Sequence, residues 1–113
     1  MFTIEKLKGF GCHVEEGLAR CINDEGFYLH LVSSLVPDEK IDQLIEAVNS
    51  GDLQKGFEIA HSLKGVYGNL AITPLFNKVA EITELLRNKT ETDYSVLLEE
   101  IKTLYTQFEE LAK

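Results

Sequence analysis

The chain of 113 residues is long enough for one domain with a single modest core, and its 44% hydrophobic and 27% charged residues are ordinary for a globular protein. Nineteen acidic against eleven basic residues give a net charge of −8 with no Lys/Arg cluster, which excludes a nucleic-acid backbone or an anionic membrane surface as the expected partner. No apolar run approaches the roughly 18–20 residues of a membrane span, and Met1 to Phe10 lacks a signal-peptide core, so a cytoplasmic location is expected.

Almost every stretch has helical periodicity. Gly9 and Gly11 break the opening segment, so residues 1–12 are expected as a flexible lead-in to a single domain over 1–113. A short helix is predicted from Val14 to Cys21, with Val14, Leu18 and Ile22 on one side. Asn23 or Asp24 can cap the next, whose apolar positions are Phe27, Tyr28, Leu31, Val32 and Leu35. Pro37 suits the first turn of a further helix carrying Ile41, Leu44, Ile45 and Val48. Asp52 is a natural cap for a helix over Leu53 to Leu70, and Thr73-Pro74 for one carrying Leu75, Val79, Ile82, Leu85 and Leu86. The last helix is predicted from about Asp93, with a stripe from Tyr94 to Leu111. Short connections favour antiparallel neighbours. The expected fold is therefore all-α: an up-and-down antiparallel four-helix bundle with one or two short N-terminal helices.

Cys12 and Cys21 are expected to be reduced, partly buried thiols. Their spacing with His13 is not that of a zinc site, and no metal is assigned.

The segment Leu53 to Leu70, LQKGFEIAHSLKGVYGNL, concentrates the chemistry. Wound at roughly 100° per residue, it places Ile59, Leu63, Val66 and Leu70 toward the core and His61 away from it. Gly65 and Gly68 fall on the exposed side with His61, although glycine inside a helix costs about 0.5–1 kcal/mol relative to alanine. Missing side chains there would let another protein approach the ring. Phe57, one turn before His61, would add an apolar docking patch, and Lys64, one turn after, a cation for a phosphate on the ring. A neutral imidazole is nucleophilic near neutral pH. Each residue alone is ordinary on a helix surface. Together on one side of one helix they point to a functional patch centred on His61.

AHSLKG at Ala60 to Gly65, followed by Asn69-Leu70-Ala71 and Leu75, resembles the signature of histidine-containing phosphotransfer (HPt) domains. The likeness extends back through Val14 to Arg20 and Asp24 to Tyr28, and forward to Leu86. It implies that His61 accepts the phosphoryl group, Lys64 stabilises it and Gly65 opens the docking surface. It also implies a four-helix bundle acting as a phosphorelay carrier, not an autonomous enzyme. The implied partners are receiver domains of response regulators and hybrid histidine kinases, with the aspartate and Mg2+ supplied by the receiver and no cofactor of the carrier's own. A monomer is expected. Two departures stand out: Ala71 replaces a usual glycine, so that Gly68 is left to meet a small-residue requirement. Thr83 aligns with a Gln or Glu that orients the imidazole in many members. The alternatives are the phosphotransfer module of a chemotaxis-type kinase, or a helical binding module whose His61 is never phosphorylated.

Overall fold

The computed structural model describes Met1 to Lys113 and contains seven helices and no strand. They are α1 (Ile4–Phe10), α2 (Val14–Arg20), α3 (Glu25–Ser33), α4 (Lys40–Asn49), α5 (Leu53–Asn69), α6 (Thr73–Arg87) and α7 (Ser95–Glu110). The last four pack α4 on α5, α5 on α6, α6 on α7 and α7 back on α4, which closes a ring of four helices. Ile41 and Leu44 of α4, Leu63 and Tyr67 of α5, Val79 and Ile82 of α6, and Ile101 and Phe108 of α7 lie in one buried cluster. Lys78–Glu100 (2.7 Å) and Lys102–Asp42 (2.8 Å) add exposed ion pairs between neighbouring helices. At the surface such pairs contribute little stability.

Local signals set most of the helix boundaries. Asp24 and Asp52 accept hydrogen bonds from Phe27 N and Lys55 N, the N-cap role expected of them. Pro74 stands in the first turn of α6, where its missing N–H costs nothing. Thr73, however, does not cap that helix. Its hydroxyl donates to Ala71 O and accepts from His13 N, so it ties the start of α6 to the start of α2. Pro37 lies in the loop before α4 and not in its first turn.

The opening residues are a third short helix where a flexible lead-in was expected. Thr3 caps α1 by accepting from Lys6 N, and Gly11 ends it at φ 109°, a conformation glycine adopts without steric cost. Phe2 and Leu7 are buried, and Phe2 and Phe10 meet Phe108 at ring-centroid distances of 4.9 and 5.9 Å. The Met1 ammonium donates to Ala112 O, and Lys6 Nζ to Lys113 O at 2.9 Å. The chain termini are thus fastened to each other. Two further apolar positions differ from expectation: Ile22 is 88% exposed, because α2 ends at Arg20 and Ile22 adopts a left-handed φ of 55°, and Phe27 in the first turn of α3 is 48% exposed.

Candidate functional site

Helix α5 buries Gly56, Ala60, Leu63 and Tyr67, with Ile59 and Val66 only half-buried. The buried line is thus rotated from the expected one, which weighted bulky apolar residues. The cause is close packing. A Cβ at Gly56 would stand 3.0 Å from Val48 and 3.6 Å from Leu86, so neighbouring helices close on the small residues while Tyr67 fills the wider end. His61 remains exposed on the opposite side. Its imidazole makes no hydrogen bond within the chain, leaving both ring nitrogens free of protein partners.

The structure differentiates the flanking residues. Lys64 is half-buried, and its ammonium has neither an ion pair nor a hydrogen bond within the chain. Gly65 is exposed, and a Cβ there would meet nothing within 4 Å. Gly68, expected on the exposed side, is half-buried instead, and a Cβ would come within 3.0 Å of the Phe76 ring. Its small size is already used by α6. Phe57 is likewise half-buried and packs against the core, with its ring stacked on the imidazole. Thr83 is fully buried, and its hydroxyl donates to Val79 O at 2.6 Å, so its proton serves its own helix and not the imidazole.

His61, Lys64, Gly65 and Gly68 line one side of a groove of about 520 Å³; Ala71, Thr73 and Phe76 line its end, and His13, just before α2, with Glu16 and Arg20 of α2 the other side. Arg20 Nη1 donates to Gly68 O at 2.6 Å, Tyr28 Oη to Leu70 O at 2.8 Å and His13 N to Ala71 O at 3.2 Å. These bonds reach carbonyls of the turn that ends α5, Gly68 O also accepting from Ala71 N and Ala71 O from the Thr73 hydroxyl, and they hold α2 and α3 against that end of the helix. The α2 wall was missing from the sequence reading. An isolated Arg20 gives no sign that it reaches a carbonyl 48 residues away.

The helix end also explains the departure at Ala71. Ile72 N donates to Tyr67 O and Ala71 N to Gly68 O, the paired bonds of a Schellman turn, and Ala71 sits at φ 57°. A glycine is favoured there for its backbone freedom, a requirement Gly68 cannot meet from within the helix.

Neither cysteine lines the groove. Burial pushes the Cys12 thiol up to about 11, so it is neutral near pH 7, and Cys21 is buried and free. No cluster of three or more His, Cys, Asp or Glu side chains is arranged to hold a metal ion. No helix is long and apolar enough to cross a membrane.

A family model described as the Hpt domain matches residues 38–111, the span of the four-helix ring. No curated protein and no solved structure matches the chain. With the matched span covering well over half of the sequence, the chain belongs to the Hpt domain family, the helical phosphocarrier modules of histidine phosphotransfer in two-component signalling.

Proposed function

We propose that this chain is a monomeric phosphorelay carrier that accepts a phosphoryl group on His61 and passes it to a receiver aspartate of a response regulator. The donor is a phospho-aspartyl receiver, such as that of a hybrid histidine kinase, or a histidine kinase itself. The observation that carries this reading is an exposed, unbonded imidazole beside an unpaired Lys64 and the open surface at Gly65.

In the accepting step, an imidazole nitrogen attacks phosphorus with its lone pair. The N–P bond forms while the aspartyl O–P bond breaks, and the electron pair of that bond stays on the carboxylate. The other ring nitrogen keeps its proton, so the ring becomes positively charged. Lys64 stabilises the phosphoryl oxygens by a charge-assisted contact. The magnesium ion belongs to the receiver, which holds it at its own aspartate. The exposed Gly65 leaves the partner's backbone room to bring the two reacting groups into line.

The test is to incubate the chain with a panel of Mg2+-loaded, phosphorylated receiver domains and to score acid-labile phosphate on it. At least one receiver should transfer its label within minutes and take it back when unphosphorylated receiver is in excess. Absence of label from every receiver and from a small phosphoramidate donor would overturn the reading.

A further inference from the structure

Nothing polar in the chain fixes the imidazole of His61. It makes no hydrogen bond, and Thr83 is buried with its hydroxyl directed to Val79 O. What the ring does meet is Phe57, one turn earlier on α5. The two ring centroids are 5.6 Å apart with an interplanar angle of 18°, a stacked pair. Phe57 is itself restrained: it packs against the core, and the Arg87 guanidinium carbon lies 5.0 Å from its ring centroid. Arg87 belongs to the last turn of α6, where a cation faces the negative end of the helix dipole, and Glu84 holds it at 3.3 Å. A residue from the neighbouring helix therefore steadies the phenyl ring on which the imidazole rests.

We propose that Phe57 is the positioning residue of His61, setting the plane of the imidazole for phosphoryl transfer; this rests on His61 being the acceptor. The nucleophilic lone pair lies in the ring plane, and in-line displacement requires it to point along the breaking P–O bond. An exposed imidazole without a partner turns broadly about its χ2 torsion. Stacking against Phe57 narrows that range, while both ring nitrogens stay free of protein partners. The positive charge that the ring acquires on phosphorylation also falls against the electron-rich face of Phe57. Packed in this way, Phe57 orients the nucleophile from within the chain and is not chiefly a contact for the partner.

The experiment compares the unmutated chain with Phe57→Leu and Phe57→Tyr, using a receiver that transfers to it. Saturating transfer rate and half-saturating receiver concentration are measured separately, alongside the NMR signals of the His61 ring. Phe57→Leu keeps apolar bulk but no ring. It should lower the saturating rate about tenfold at an unchanged half-saturating concentration, and it should change the chemical shifts of the His61 ring protons as the Phe57 ring current is lost. Phe57→Tyr should retain both the rate and the shifts. A raised half-saturating concentration with an unchanged saturating rate would make Phe57 a docking contact and overturn the proposal. So would the absence of Phe57–His61 ring-to-ring nuclear Overhauser effects in the unmutated chain, a measurement that does not depend on any variant folding. Labelling by a small phosphoramidate donor separates the two levels. If the unmutated chain takes no phosphate on His61, the acceptor assignment falls and the positioning role with it. If it labels normally while Phe57→Leu transfers like wild type, only the positioning role falls.

Discussion

Helices α4–α7 and helices α1–α3 are built by different means. The first four close a ring around a common apolar core, and each reads in sequence as a periodic stripe. The three short ones are anchored largely from outside themselves: α1 through Phe2 and Phe10 on Phe108, α2 and α3 through Arg20, His13 and Tyr28 on the carbonyls that end α5. The ring carries His61, while α2 supplies the facing wall of the groove. The contrast teaches where stability and transfer are separable. Changes at the α2–α3 contact should act mainly on stability, and changes on the exposed side of α5 mainly on phosphate.

The strongest way to break the α2–α3 contact is Gly17→Ala. A Cβ at this buried position would lie 2.5 Å from the ring of Tyr28, a fully buried side chain whose hydroxyl is committed to Leu70 O. Overpacking of about 2–3 kcal/mol should outweigh a helix-propensity gain of up to about 1 kcal/mol. The melting temperature should fall by several degrees, roughly 4 °C or more per kcal/mol at this chain length. An unchanged melting temperature would mean that α2 and α3 do not bear on each other as described.

On the ring side, Lys64→Ala should leave the melting temperature nearly unchanged, since the ammonium has no partner within the chain. Transfer should slow about tenfold, the equivalent of roughly 1.4 kcal/mol and within the range of one charge-assisted contact. Kinetics equal to wild type with two different receivers would reduce Lys64 to a surface lysine.

The two glycines near His61 sharpen the comparison with smaller effects of opposite sign. Gly65→Gln adds bulk to open space, so it should keep or raise the melting temperature, by up to about 1 kcal/mol of helix stability, while hindering transfer from a receiver. Gly68→Gln would press on Phe76 and should lower the melting temperature by a few degrees, with overpacking of about 1–2 kcal/mol outweighing the propensity gain. Parallel thermal melts and transfer assays check the pair. Equal melting temperatures would contradict the distinction drawn between the two positions.

How much of this was legible in the sequence follows from the same contrast. The stripes of α4, α6 and α7 and the caps at Asp24 and Asp52 were readable because local periodicity and capping chemistry determine them. The seating of α5 was not, because a hydrophobic wheel gives little weight to Gly56 and Ala60, whose small size draws neighbouring helices inward. The same blindness placed Gly68 on the open side. His61 was legible as an exposed histidine because its direction away from the core survives that rotation. Thr83 and the α2 wall depend on contacts far apart in sequence. Alignment placed Thr83 near the ring, whereas the core holds it at 0% exposure.

The most direct measurement of the central claim is phosphate labelling of His61→Gln by a receiver that labels the unmutated chain. His61 is exposed and unbonded, so the variant should fold with a stability change below about 0.5 kcal/mol. His13 and His30, also exposed, remain as internal controls for incidental labelling. The account predicts a folded protein that takes no acid-labile phosphate. A folded His61→Gln protein labelled as fully as wild type would contradict it.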